Sequence, residues 1–591
     1  MSEAPPLTPF PMDVLLGRIA HEWETRGRIF DLPTARYWSP DPELDLSMSF
    51  MGRPAATPVG PAAGPHSQMA QNIILAWLGG ARLFELKTVQ VLDDLHINRP
   101  CIDMETIGFN IEWSQELLVH QSLEEYVKAW MAIEMLRRWE PLTQHIGADP
   151  GPHVFDMSVG YDLAGISTDK VGGFIDGLID ARAEIDRLRP MIPAPFDRFR
   201  DLDFPTRVAD TVTLSTFHGC PPEEIEGITK HLMTRHGVDV IVKLNPTLLG
   251  FGRVCEILQG TLGYSHIRLD RQPFVDDLQF DRALELIGEL RSFAAEHGRR
   301  FGIKLTNTLV VQNFKGFMPD DPMYLSGPPL HVLATSLLDE LINALPGVFR
   351  VDGHDGDVQV SFSAGITKEN LSEAIGMGVA PATICSDLLK PGGYGKLEPM
   401  LRRLADDMKA AGARNLAEWH HHSWEEAKAA GFRGPVERHM TRMLSGDELP
   451  RYHLTGNEKL PRAVDHDLQM WGCVACNFCV TVCPNDAFFK LPTPEGSGIE
   501  GRQQYLVLAE LCNECGNCMV FCPETGDPAQ IKPKLYLTPG RFEAAAGQAF
   551  LVERANGTVT VKPKPGFESE VAMIELILNA EEGLPVRASD L

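Results

Sequence analysis

The sequence predicts an α/β protein, a (β/α)8 TIM barrel followed by a C-terminal bacterial-type 2[4Fe-4S] ferredoxin-like domain. Three observations carry that reading. Short apolar runs alternate with helical-period segments from about residue 55 to residue 396. Polar residues collect at the C-terminal ends of those runs. Further on, Cys473, Cys476, Cys479 and Cys483 followed by Pro484 is repeated as Cys512, Cys515, Cys518 and Cys522 followed by Pro523.

Residues 1–50 read as an N-terminal helical extension, with VLLGRIAHEWE as its amphipathic segment and a polar, proline-punctuated stretch behind it. Residues 51–396 read as the barrel. Its candidate strands are TPVGPAA, ARLFELKT, HVFDMSV, TVTLSTF, VDVIVKLN, FGIKLTN, VQVSFSAG and PATICSDL, with helical segments such as SQMAQNIILAWLG and FDRALELIGELRSFAAEHG between several of them. Continuous rather than alternating hydrophobicity is the pattern of parallel strands covered on both faces. Eight such runs in succession favour a closed barrel over an open doubly wound sheet. Residues 397–464 form a helical connector rich in Ala, Glu, Arg and Lys; its His420, His421 and His422 do not share one helix face and read as exposed. The ferredoxin-like domain is placed at 465–535. In the last segment, 536–591, two alternating strands joined by Asn556-Gly557 give a hairpin signal, and VAMIELILNAEEG a short helix.

The cysteine pattern C-x2-C-x2-C-x3-C-P, occurring twice, is that of two [4Fe-4S] clusters in which the fourth cysteine of each run serves the other cluster. One cluster then takes Cys473, Cys476, Cys479 and Cys522, the other Cys512, Cys515, Cys518 and Cys483. Zinc also accepts four thiolates, but as paired C-x2-C units. A disulfide framework is disfavoured, because eight of the twelve cysteines crowd into one segment of a 591-residue chain without a secretory leader. With 54 basic against 80 acidic residues the formal charge is −26, which disfavours nucleic acid and anionic membrane as partners. No stretch is apolar enough to span a bilayer, so the chain is expected to be soluble and cytoplasmic.

Iron–sulfur clusters pass single electrons, whereas most metabolites exchange pairs, so a converter is required. FMN is the expected one. The late strand-to-loop elements SFSAGI, with Ala364 and Gly365, and CSDLLKPGGYG, with Cys385 and Ser386, suit a barrel phosphate site. Lys87, with Thr88, and Lys243, with Asn245, follow earlier strands; the two lysines can stabilise negative charge on a reduced isoalloxazine. A dinucleotide-binding glycine motif after the first strand is missing, which favours FMN over FAD.

TPVGPAAGP, FELKTV, VKLNPT, KLTNT and the SAGI and CSDLL elements together resemble the barrel of dihydroorotate dehydrogenases and dihydropyrimidine dehydrogenase. Barrel and ferredoxin together look like the branch known as the selenate reductase FeS subunit, itself similar to the C-terminal half of dihydropyrimidine dehydrogenase. The resemblance implies that Ala62, Ala63 and Gly64 pack near the flavin, that Lys87 and Thr88 contact it, and that Asn110 approaches its ring or the substrate. It implies phosphate contacts for Gly365 and Ser386, and substrate contacts for Asn307 and Thr308, beside Asn245. GCPPEEIE resembles the segment carrying the family's proton-donating cysteine, which would be Cys220, with His218 tuning it or polarising a carbonyl.

The family's Asn-Leu-Ser appears here as Thr213-Leu214-Ser215, which points away from uracil or orotate and toward some other carbonyl-activated C=C or cyclic amide. The FAD and NADPH modules of dihydropyrimidine dehydrogenase have no counterpart in the sequence. The expected partner is therefore a separate flavoprotein, ferredoxin or NAD(P)H-oxidising subunit, in a homodimer or a hetero-complex. The competing expectation is a non-catalytic electron-transfer or scaffold subunit. Nothing in the residues points to selenate as a substrate.

Overall fold

The structure, a computed structural model, describes residues 6–93, 97–112, 114–216, 218–555 and 557–586. All eight apolar runs form parallel strands of one sheet: β1 (Val59–Pro61), β2 (Leu83–Glu85), β3 (Val154–Gly160), β4 (Thr211–Ser215), β5 (Asp239–Leu244), β6 (Phe301–Leu305), β7 (Gln359–Phe362) and β8 (Ala382–Ile384). The neighbour order is β1-β8-β7-β6-β5-β4-β3-β2. The two end strands also meet, through Arg82 N–H donating to the Val59 carbonyl at 3.0 Å. Their approach depends on Gly60, where a Cβ would lie 1.4 Å from the Leu83 carbonyl oxygen. Strand β3 is buried at every position, as a strand between barrel interior and surrounding helices must be.

The barrel interior is polar and internally paired. Lys304 on β6 forms an ion pair with Glu85 on β2, and its Nζ lies 3.0 Å from Thr383 Oγ1 on β8. Asp156 on β3 accepts from the hydroxyls of Thr211 and Thr213 on β4, both at 2.6 Å. The Thr213 hydroxyl is thus spent on an interior carboxylate, whereas Ser215 of the same motif lines the cavity at the barrel mouth. Burial pushes the Asp156 carboxyl up to about 7, against the two threonine hydrogen bonds.

Over the C-terminal mouth lies a four-stranded antiparallel cap, Ile102–Asp103, Gly108–Asn110, Met323–Ser326 and Leu309–Val311. It is contributed by the segments after β2 and β6.

Helix α1 (Met12–Arg26) is anchored by Arg18, which pairs with Glu22 at 2.7 Å and with Asp486 of the cysteine-rich segment at 2.6 Å. Helix α2 (Ala70–Leu78) packs closely on α3 (Leu397–Ala410): a Cβ at Gly79 would meet Leu397 Cβ at 3.0 Å. The start of the expected connector is therefore part of the barrel's helical layer. Strands β9 (Phe488–Pro492), β10 (Gln503–Leu508), β11 (Lys534–Tyr536), β12 (Phe550–Ala555) and β13 (Thr558–Pro563) follow one another in a single sheet. The boundary expected after residue 535 falls inside β11, and the terminal hairpin extends the ferredoxin-like sheet instead of standing apart. Asn556 of its turn lies outside the described residues. Of the three adjacent histidines, His421 is exposed as expected, whereas the His420 ring is half-buried against the Ile375 backbone and burial lowers its pKa. Among the described residues no helix is long and apolar enough to cross a membrane.

Candidate active site and cluster ligands

A cavity of about 900 Å³ occupies the C-terminal mouth of the barrel beneath the cap. Its inner wall contains Ala62, Ala63, Gly64, Lys87, Thr88, Lys243, Gly365, Cys385 and Ser386; Asn110, His218, Asn307, Thr308 and Tyr324 belong to the same wall. Residues scattered over more than 300 positions meet here because all follow barrel strands or belong to the cap. Three expected residues stand off this wall. Ala364 is fully buried, and its carbonyl accepts from His331 Nδ1 at 2.8 Å. Asn245 and Cys220 line a small adjoining space that shares Thr216 and Lys243 with the main cavity.

The inner wall combines a close-fitting glycine turn with polar side chains. Gly365 adopts φ +55°, and a Cβ there would lie 2.3 Å from the Gly327 carbonyl oxygen, so only glycine fits the turn. Ser386 Oγ is 2.8 Å from Ser326 Oγ of the cap, and Thr88 Oγ1 is 2.9 Å from Ser158 Oγ. Lys87 is paired with buried Glu112. Lys243 has no ion pair among the described residues, and burial lowers its pKa. Thr306, 2 % exposed, carries a hydroxyl without a hydrogen-bond partner in the same wall. An unpaired ammonium and an orphaned hydroxyl facing one cavity are the donor set expected where a polar, electron-rich ligand binds.

Cys220 is 2 % exposed, and among the described residues its one hydrogen-bond contact is with Pro221 O at 3.9 Å. Burial, then the charges of Glu224, Asp277 and Asp162, push its thiol up to about 12. Cys220 thus borders the small adjoining space and not the main cavity. His218 does line the cavity. Its Nδ1 lies 2.9 Å from Asp277 Oδ2, and its Nε2 is buried without a partner. Burial works to raise the Asp277 carboxyl, but hydrogen bonds and charge from His218, Thr247 and Gly219 outweigh it and hold it below the usual aspartate range.

The structure brings cysteines of both runs near one another. Cys473, Cys476, Cys479 and Cys522 line one small void. Cys483 and Cys512 are electrostatic neighbours of both Cys515 and Cys518. In each run the same two positions take left-handed backbone, Ala475 and Asn477 in the first, Glu514 and Gly516 in the second. Such turns direct backbone N–H groups inward toward an anionic centre. Burial raises the Cys479, Cys515 and Cys518 thiols well above their ordinary value. The Cys515 carbonyl accepts from Cys101 N–H at 3.0 Å and Ile102 N–H at 3.1 Å. Ile102 lines the barrel cavity, so one covalent and hydrogen-bonded path joins the second cysteine run to the cavity.

Sequence reasoning missed Glu112, Asp277 and the cap residues Tyr324 and Ser326. Each sits in a loop or short strand whose partners are distant in sequence. The only local signal available was the neighbourhood of Asp277 to a proline-containing turn, which does not single it out.

Residues 472–525 match the family model described as a 4Fe-4S dicluster domain, a span containing all eight ligand cysteines. The chain is 40 % identical over 418 residues to the proposed oxidoreductase YgfK of Escherichia coli, in both strain K12 and O157:H7, covering 67 % of this chain and 39 % of each relative. It thus spans about two fifths of the length of those curated relatives. Among solved structures, dihydroorotate dehydrogenase (DHODH) of Eimeria tenella in complex with ferulenol aligns with TM-score 0.41 and 16 % identity, over 69 % of this chain and 95 % of that one. The ligand-free form aligns with TM-score 0.38 and 17 % identity, over 68 % and 96 %. The family model described as oxidoreductase YgfK, N-terminal TIM-barrel domain, matches residues 30–431, and with more than half its length so matched the chain belongs to the YgfK oxidoreductase family.

Proposed function

We propose that this protein is an FMN- and iron–sulfur-dependent oxidoreductase whose barrel cavity holds FMN and a small substrate with a carbonyl-activated C=C bond or a cyclic amide. The observation that carries this is the direct contact between the Cys515 loop and the cavity wall through Cys101 and Ile102. When bound, FMN supplies hydride exchange with the substrate and one-electron exchange with the clusters. The chain's own residues do the rest. Gly365 and Ser386 form the close-fitting turn for the phosphate, and Lys243 places its ammonium where negative charge on the ring is stabilised. Asn307 and Thr308, with Asn110 on the cap, offer amide and hydroxyl groups for a carbonyl or ring N–H. The cap limits water access to the mouth. A single-electron donor outside this chain, a flavoprotein, a ferredoxin or an NAD(P)H-oxidising subunit, feeds the clusters.

The second reading, an electron-transfer or scaffold subunit whose barrel holds flavin without turning over a substrate, is favoured by one observation: Cys220 stands off the cavity wall. The separating experiment is a cofactor inventory of anaerobically purified protein, followed by reoxidation of the reduced protein with cyclic enones and amides. One FMN with about eight iron and eight sulfide per chain, together with reoxidation by a small molecule, supports the enzyme. Full clusters with no flavin, even after FMN is supplied, would refute the flavin site.

A further inference from the structure

A polar cluster beside the cavity centres on Asp277. This residue is 4 % exposed. Its Oδ1 accepts from Gly219 N–H at 2.6 Å. Its Oδ2 accepts from Thr247 Oγ1 at 2.6 Å, His218 Nδ1 at 2.9 Å and Asn245 Nδ2 at 3.0 Å. A carboxylate held by this many donors offers only acceptor capacity, so the histidine nitrogen facing it carries the proton. That leaves His218 Nε2 as the nitrogen without a partner, buried in the residue that lines the cavity. The imidazole lies nearly parallel to the Tyr324 ring of the cap, at 11° and 6.4 Å between centroids, which restricts its rotation.

We propose that His218 Nε2 is the group that exchanges a proton with the substrate, that Asp277 is its positioning residue, and that Cys220 takes no part. This rests on the reading that the cavity carries out flavin-dependent reduction of an activated double bond. In the reducing direction the C=C π bond breaks. A bound reduced flavin would supply hydride to the carbon β to the carbonyl, its two electrons being replaced singly by the outside donor through the clusters, and the α carbon takes its proton from imidazolium Nε2–H. In reverse, the α proton passes to the Nε2 lone pair, and a bound oxidised flavin would accept the hydride from the β carbon. Asp277 fixes the tautomer that keeps this lone pair open and stabilises the imidazolium when it forms, the logic of carboxylate–histidine pairs generally.

Asp277→Asn separates positioning from mere packing. The amide has one acceptor oxygen. Its NH2 group cannot face Gly219, whose backbone N–H can only donate, so it takes the Oδ2 position. There the Thr247 hydroxyl can turn, but His218 Nδ1 must become an acceptor, which moves the ring proton to Nε2. The experiment is 15N NMR of histidine-labelled full-length protein, with His218 assigned by H218Q. It is paired with reoxidation of the photoreduced, FMN-loaded protein by 2-cyclohexen-1-one in D2O, followed by mass and NMR analysis of the product.

The expected result is an Nδ1–H tautomer in the wild type and an Nε2–H tautomer in D277N. Deuterium appears on the α carbon, and reoxidation slows at least about 100-fold in H218Q, the range of lost general acid catalysis. D277N also slows it, and C220A stays within about threefold of the wild type, since a sulfur off the cavity contributes no proton transfer. An Nε2–H wild type, a tautomer unmoved by D277N, or activity lost in C220A but kept in H218Q each overturns the proposal. A wild type that binds FMN but reduces no enone overturns the proton-transfer role together with the functional reading above, whereas the tautomer pair then still decides what Asp277 does to His218.

Discussion

The junction between the second cysteine run and the cap turns on Gly516, and replacing it with alanine tests whether that contact holds the two parts together. Gly516 has φ +85°, and an added Cβ would stand 2.4 Å from Pro100 Cβ and 3.5 Å from Phe317 Cζ. Pro100 is a rigid ring and cannot rotate away, so the Cys515–Gly516 loop must retreat by about 1 Å to reach ordinary carbon–carbon contact. That retreat stretches the bonds from Cys101 and Ile102 N–H to the Cys515 carbonyl, now 3.0 and 3.1 Å, beyond hydrogen-bonding range. The left-handed backbone alone costs a non-glycine residue about 1–2 kcal/mol, and the lost bonds and forced repacking add about 2–3 kcal/mol. Gly547→Ala is the matched control, with φ +75° and nothing within 4 Å of its Cβ. Hydrogen exchange of the clustered protein, read by mass spectrometry on the peptide spanning 100–103, should show faster exchange at Cys101 and Ile102 in G516A alone. Urea midpoints should place G516A about 2–3 kcal/mol below G547A. Equal destabilisation of the two variants with unchanged protection at 101 and 102 would refute the reasoning, provided iron content is the same in both.

Three further outcomes follow from buried charge. Arg18→Met leaves Glu22 and Asp486 facing each other at a site 1 % exposed on the arginine side, and should cost about 3–5 kcal/mol in urea unfolding; adding Glu22→Gln and Asp486→Asn should recover much of it. Lys304→Met strands Glu85 inside the barrel at a similar cost of about 3–5 kcal/mol, and the pair Lys304→Met with Glu85→Leu should be markedly more stable than the single variant. Asp156, raised by burial from 3.8 to about 7, binds its proton more tightly folded than unfolded. The contribution is therefore fully present below about pH 4 and is lost as pH rises toward 7, by up to about 4 kcal/mol. Urea midpoints measured from pH 5 to pH 8 should fall on this account, and Asp156→Asn should flatten the trend.

The barrel was legible because its strands are buried on both faces, so each reads as a continuous apolar run bounded by polar residues, VDVIVKLN for Asp239–Leu244 being the plainest. The cysteine repeat was legible because cluster ligation fixes residue type and spacing together. The cap was not. Its strands are two to four residues long, and Gly108–Asn110 pairs with Met323–Ser326 more than 200 positions away, which no local periodicity encodes. Sequence reports that Cys220 lies beside a proline turn, but not that it borders a small adjoining space while His218, two positions earlier, lines the main cavity. Asp277 escaped notice because its importance lies in its donors, which come from positions 218, 219, 245 and 247, all 30 or more residues away in the chain. His420 reads as a surface residue until the helix carrying it is docked against the Ile375 backbone.

The two cysteine runs are nearly interchangeable as sequence, and their surroundings make them unequal. Cys512, Cys515 and Cys518 are 6 %, 8 % and 7 % exposed, and their loop is tied to the cavity wall by Cys101, Ile102 and Asn517, whose amide donates to the Leu389 carbonyl at 2.8 Å. Cys473, Cys476 and Cys479 are only half-buried, and Val474 between them is 46 % exposed. The two halves of the repeat therefore differ by packing alone: the half that meets the cap is buried and hydrogen-bonded to the cavity wall, and the other is left half-buried at the surface.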